Sequence, residues 1–196
     1  MNSRSIGNEF EDSFEASCRK AKVFFSRNRD VYIPPDLRKR IKVPKNLYDY
    51  FMFSKKTLFP LELKSTKEMN LPFKNIKSHQ LEALEAASKY SDTISGILIN
   101  FRHEINRCFF IHINDFLQYK KVAEGKSENR YKSKINKSSI PYLICEEIGI
   151  EVRNTKLKVN YTYGVKELIE DCLEKYGNET LTERDLRGYN VNRGTI

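Results

Sequence analysis

Residues Leu58–Gln80 read LFPLELKSTKEMNLPFKNIKSHQ. Phe59-Pro60-Leu61-Glu62-Leu63-Lys64 alternates apolar and polar residues, the pattern of a strand with one face in a core. Residues i and i+2 of a strand share a face, so Glu62 and Lys64 are neighbours while Leu61 and Leu63 point the other way. A carboxylate and a lysine are thus held side by side on a rigid element, as a site of defined geometry requires. Alone the pair carries little, since chance supplies roughly one to three Glu-x-Lys spacings in a chain of this size. A second copy, Glu124/Lys126, lies in a Gly/Lys/Ser-rich segment and reads as solvated charge.

The residues just upstream change the weight of the pair. LYDYFMF, from Leu47, is aromatic and weakly alternating, and it predicts the preceding strand. A hairpin turning at Ser54-Lys55-Lys56 places Asp49 opposite or nearly opposite Glu62. Two carboxylates on adjacent strands can share a hard cation such as Mg²⁺. A lysine beside them can orient or deprotonate a water, or steady the charge of a five-coordinate phosphorus. That is the equipment for hydrolysing a phosphodiester. The same residues would also suit the wet side of an ordinary surface hairpin.

Outward from this core the pattern alternates between helices and strands. Phe10, Phe14, Cys18, Ala21 and Phe25 recur at helical spacing and predict a first helix from about Asn8 to Ser26. DVYIPPD reads as a short strand, and TKEMNLPFKN as a polar loop with an isolated Phe73. SHQLEALEAASKY predicts a helix capped by Ser78. GILINF and RCFFIHI predict two strands, and a helix through Phe116 to Val122 follows them. TKLKVNYTY predicts another strand, and Val165–Tyr176 a closing helix. The order gives an α/β chain with a mixed central β-sheet flanked by helices. One domain is expected over residues 1–176, with a basic connector at 34–47, a mobile basic loop at 123–139 and a polar tail at 177–196.

Composition points to the partner. The chain has 196 residues, a net charge of +9 and a pI near 9.3, which suggests a polyanion. The charge is clustered: Arg19 to Lys45 holds ten Lys/Arg against two Asp, and Lys120 to Lys137 seven against two Glu. Nucleic acid is the expected ligand, and Arg38, Lys39, Arg40 and Lys42 could track its phosphates. No apolar run approaches the roughly 18 residues of a membrane span. Met1–Phe10 carries no secretory signal, so a cytoplasmic location is expected. The four cysteines show no zinc spacing and read as buried thiols. No Walker-type phosphate loop and no Ser/Cys/His triad is legible.

Several further residues admit two readings. His79 could contact DNA or the site at a helix start, and Phe73 could be a DNA wedge or a loop anchor. Tyr48, Tyr50 and Phe51 could stack on bases or line a sheet face. His112 reads as a solvent-face strand residue and His103 as a turn residue.

GNEFEDSF, YDYF, FPLELKST, LPFKNIKSHQLEAL, GILINF and CFFIHINDF follow one another in an order that resembles RecU-type Holliday junction resolvases of the PD-(D/E)xK nuclease superfamily. The resemblance runs from about Ser3 to Leu173 and is most specific from Asp49 to Gln80. It implies a restriction-endonuclease-like fold and an Mg²⁺ site, with Mn²⁺ a possible substitute. Asp49 and Glu62 would be metal ligands, with the Leu63 carbonyl a possible third. Lys64 would assist the attacking water. Glu11 would occupy the family's helical acid position, and Gln80 would contact the site or the scissile phosphate. Lys74 would lie near DNA, and PPDLRKRIKVPKNLY would replace the family's protruding stalk in shortened form. The expected partners are branched DNA, a second copy of the chain and recombination proteins. The alternatives are a nuclease of the same fold acting on duplex or flap DNA, and a junction-binding protein that does not cut.

Overall fold

The computed structural model describes residues 3–28, 34, 36–37, 40, 46–103 and 106–177. Helix α1 (Ser3–Ala21) comes first, followed by strands β1 (Phe24–Arg27), β2 (Tyr50–Ser54) and β3 (Thr57–Thr66). These strands form an antiparallel meander. A short strand β4 (Asn70–Pro72) and a 3₁₀ turn (Phe73–Asn75) lead into helix α2 (Ser78–Ala87). The chain then enters β5 (Gly96–Phe101), which pairs parallel with β3. A parallel neighbour cannot be reached by a tight hairpin, and α2 supplies the crossover.

Strand β6 (Arg107–His112) returns antiparallel to β5. Helix α3 (Ile113–Ala123), strand β7 (Ser139–Pro141), helix α4 (Tyr142–Ile148) and strand β8 (Ile150–Val152) follow. A small hairpin of β9 (Asn154–Lys156) and β10 (Tyr161–Tyr163) precedes the closing helix α5 (Val165–Tyr176). Among the described residues the main sheet has six strands, in the order β1-β2-β3-β5-β6-β8. It is the expected mixed sheet flanked by helices: a helix, an antiparallel meander, a crossover helix and a parallel strand.

Each face of the sheet has its own core. On one, Phe10, Phe14 and Cys18 of α1 and Leu168, Ile169 and Cys172 of α5 pack against Met52, Leu61, Leu63, Leu98 and Phe110. On the other, Leu84 of α2, Phe116 and Tyr119 of α3 and Ile144 of α4 cover Ile97, Ile99, Phe109 and Ile111. Every residue of β5 is buried, as expected of a strand covered on both faces. Gly96 is required there, because a Cβ would lie 2.5 Å from the Ile111 carbonyl oxygen. All four cysteines are free and buried.

The structure revises several local expectations. α1 stops at Ala21 rather than Ser26, because Lys22 takes a left-handed φ of 56° and ends the helix. Phe25 therefore belongs to β1, where the aromatic Phe24-Phe25 pair suits a pleated surface. The polar loop after β3 is partly strand, since β4 pairs antiparallel with β7. TKLKVNYTY is two short strands and a turn rather than one strand. His112 is buried, not solvent-facing, and its ring stacks on Tyr176 at 4.6 Å. DVYIPPD lies largely outside the described residues, as do residues 178–196 of the tail.

Candidate active site

A tight turn sets the register of the site. Lys55 (φ 49°) and Lys56 (φ 65°) both adopt the left-handed conformation of a two-residue primed hairpin turn. From it the β2–β3 ladder runs from Ser54↔Thr57 to Tyr50↔Leu61. One further step sets Asp49 against Glu62. The Leu63 backbone N–H donates to Asp49 Oδ2 at 3.3 Å, so the Asp49 carboxylate reaches across to β3.

Glu62 is fully buried. Its Oε1 accepts from Gln80 Nε2 at 2.6 Å and also pairs with Lys64 Nζ. Its Oε2 is buried and, among the described residues, has no hydrogen-bond partner. Burial pushes the Glu62 pKa up to about 8; the Lys64 charge opposes the rise and the Asp49 charge adds to it. A buried carboxylate oxygen with no donor is costly, and a partner is expected.

The donor set fits a hard divalent cation. Asp49 and Glu62 offer oxygens only, as Mg²⁺ prefers, and Leu63 lies between Glu62 and Lys64 on β3 with its N–H already on Asp49. Among the described residues, no three His, Cys, Asp or Glu side chains cluster to hold a metal. Two carboxylates suffice for Mg²⁺, which keeps several waters of its own.

Gln80 joins α2 to this centre. Its Oε1 accepts from the Lys77 backbone N–H at 3.1 Å while its Nε2 donates to Glu62. One amide therefore caps the helix and orients the acid, and its buried position leaves no freedom to do otherwise. The N-cap is Lys77, not Ser78, because Gln80 already serves the N-cap N–H.

Glu11 faces the site from α1. It is near enough that Asp49 raises its pKa and Lys64 lowers it, with burial the largest influence and the net shift upward. Its Oε2 is taken by Arg27, in a close ion pair. Arg27 Nη1 also lies 3.5 Å from Asp12 and 4.0 Å from Glu15, and the guanidinium sits over the Tyr50 ring. The next residue, Asn28, donates its backbone N–H to the Asp49 carbonyl at 2.8 Å and its side-chain amide to the Tyr48 carbonyl at 3.0 Å.

Arg27 and Asn28 thus hold the two acids that do not lie on β3. Nothing in the sequence pattern singled them out, because their roles depend on the β1–β2 pairing. That pairing ties residues more than twenty positions apart through a segment with no motif.

The other expected contacts divide. Lys74 is exposed, and His79 is half-buried in the first turn of α2; both lie within six residues of Gln80. Phe73 packs edge-on against Phe116 (5.9 Å) and Tyr119 (6.1 Å), with Lys120 Nζ over its ring, so it anchors the turn. Tyr50 is buried beneath Arg27 and unavailable for stacking. Arg40 is exposed, whereas Arg38, Lys39 and Lys42 lie outside the described residues.

Three comparisons with known proteins show what the chain is similar to. The chain is 45% identical to the SPbeta prophage-derived uncharacterized protein YotM of Bacillus subtilis (strain 168), over 97% of each chain. A solved structure of Archaeoglobus fulgidus Hjc, a Holliday junction resolvase, superposes with a TM-score of 0.46 at 14% identity, covering 74% of this chain and 95% of that one. The family described as Recombination protein U, RecU, matches residues 39–167, which takes in Asp49, Glu62, Lys64 and Gln80 and more than half of the sequence. The chain belongs to the RecU family.

Proposed function

We propose that the protein is a divalent-metal-dependent endodeoxyribonuclease that resolves four-way DNA junctions. The observation that carries this reading is the buried, unpartnered Glu62 Oε2 on a strand facing Asp49, with Lys64 beside it. Membership of the RecU family and the charge of +9 support DNA as the substrate.

Asp49, Glu62 and the Leu63 carbonyl would hold Mg²⁺, with Mn²⁺ a possible substitute. Bound there, the ion would lower the pKa of a water and neutralise charge on the phosphoryl oxygens. Lys64 Nζ would hold the attacking water or hydroxide and stabilise the charge that develops on phosphorus. Gln80 would fix the orientation of Glu62, and Glu11 would steady water on the α1 side. Lys74, His79 and the basic connector around Arg38–Lys42 would bind phosphates without reading sequence. A junction needs two nicks, so two copies related by a two-fold axis would act together as a homodimer.

The test is cleavage of a labelled synthetic four-way junction beside its linear duplex, with Mg²⁺ or EDTA. Junction-selective cutting that Glu62→Ala abolishes supports the reading. Equal cutting of both substrates replaces it with a general nuclease. Tight junction binding without cutting in Mg²⁺ or Mn²⁺ replaces it with a binding protein.

A further inference from the structure

The small hairpin β9–β10 plays no part in the site just described. It begins where β8 ends, at the end of the sheet where β3 carries Lys64. A line of polar side chains ties the two. Ser65, next to Lys64, donates to Asn100 Oδ1 at 3.3 Å. Asn100 Nδ2 donates to Asn106 at 3.0 Å, and Asn106 Nδ2 to Asn154 of β9 at 3.1 Å. The base of the hairpin is thereby positioned against the catalytic strand through β5. From β3 to β8 is three strand spacings, about 14 Å.

The hairpin is strongly cationic and its charge is unspent. Arg153, Lys156 and Lys158 are all exposed, and among the described residues none makes an ion pair. Arg107, directly alongside, is by contrast engaged with Glu146 and Glu151. Two concavities flank the hairpin and share Arg153 and Asn154. The first, about 350 Å³, adds Lys20 and Lys166 to the cationic lining, with Glu167 the one acid. The tip leaves Leu157 51% and Val159 87% exposed, so nothing described in this chain packs over it.

We propose that the β9–β10 hairpin is a second DNA-contacting element, which grips the phosphates of an arm leading away from the cleaved bond. The proposal rests on the DNA-cleaving reading above for its substrate. A duplex arm seated on Glu62 and Lys64 advances about 34 Å per turn, so the hairpin lies within reach of the same arm. Unpaired cations on a protruding element fit a polyanion, whose condensed counterions they would release on binding. The rigid polar tie to Ser65 would hold the grip in fixed relation to the site.

The test is anisotropy of a labelled junction and a linear duplex in EDTA, so that binding is read without cleavage. Lys156→Glu, Lys158→Glu and Arg153→Glu are compared with Lys89→Glu, an exposed change beyond α2 at the opposite end of the sheet. Each hairpin change is expected to weaken binding about tenfold and to lower the salt slope by about one. Lys89→Glu is expected to stay within about twofold of wild type. Lys156→Gln should give a smaller loss in the same direction, which a misfolded protein would not.

Hairpin variants that bind like the control overturn the proposal, and they leave the nuclease reading intact if the wild type still cuts junctions. Hairpin-dependent binding by a wild type that cuts nothing supports the hairpin as a DNA-contacting element, but sinks the nuclease reading and with it the link to a cleaved bond. A wild type that binds no DNA overturns both.

Discussion

Gln80 Nε2 donates to Glu62 Oε1 at 2.6 Å, across the gap between α2 and β3. The same amide accepts the Lys77 N–H through its oxygen, so its orientation is fixed from both ends. This leaves Glu62 Oε2, among the described residues, as the carboxyl oxygen without a hydrogen-bond partner. Gln80→Ala should cost about 1 kcal/mol of stability through the lost helix cap. It should also lower junction cleavage by roughly tenfold to a hundredfold, the usual effect of removing a residue that orients a metal ligand. Thermal unfolding and single-turnover cleavage measure the two separately.

Arg27 should act on the chemistry without touching DNA. Arg27→Met frees Glu11 and removes the cation beside Asp12, while Glu15 keeps its ion pair with Arg19. The expected result is a fall in kcat of roughly tenfold to a hundredfold, with DNA affinity nearly unchanged. Arg27→Lys should recover part of the loss, because it keeps the charge but not the fork geometry. A variant that lost binding and cleavage equally would show a role in the substrate surface instead.

The pH dependence of stability should report Glu62 directly. Its folded pKa, about 8, lies above its ordinary value of 4.5, with burial the main cause. The protonated form is therefore favoured by the fold. Its stabilising contribution is complete below the unfolded pKa and is lost as pH rises toward 8. Glu62→Gln cannot ionise, so metal-free Glu62→Gln should gain stability over wild type progressively between about pH 4.5 and 8. Mg²⁺ should close that gap by stabilising wild type alone. Melting temperatures at pH 5, 6.5 and 8, with and without Mg²⁺, check both statements.

How much of this was legible in the sequence depends on distance along the chain. Alternation through Phe59–Lys64 placed Glu62 and Lys64 on one face, and the Lys55-Lys56 turn set Asp49 opposite Glu62. Both are short-range consequences of strand period and hairpin register. Helix α5 appeared at the predicted bounds because Val165, Leu168, Ile169, Cys172 and Tyr176 mark a clean apolar stripe. Phe25 misled the reading of α1, since an aromatic in a following strand can fall by accident on the helical period. Arg27, Asn28 and the Ser65–Asn100–Asn106–Asn154 line could not be read, because each contact joins elements brought together only by the sheet order.

The Lys55-Lys56 turn carries a correctable cost. A residue with a Cβ pays roughly 1 kcal/mol to occupy the left-handed region. Lys56→Gly should raise stability by about 0.5–1 kcal/mol without altering cleavage, since φ is 65° there and glycine adopts it freely. A loss of stability would mean that the Lys56 side chain contributes more than its backbone costs. Denaturant unfolding of the single variant decides it.

The activity proposed for this chain is metal-dependent paired incision of a four-way junction. Its most direct measurement is a supercoiled plasmid carrying an extruded cruciform, incubated with wild type or Glu62→Ala in Mg²⁺ or EDTA. Two coupled nicks across the junction convert the circle to a linear product with ends at the cruciform, in Mg²⁺ and with wild type only. That is the predicted result. Only nicked circles, equal cutting of a plasmid without the cruciform, or linear product from Glu62→Ala would contradict it.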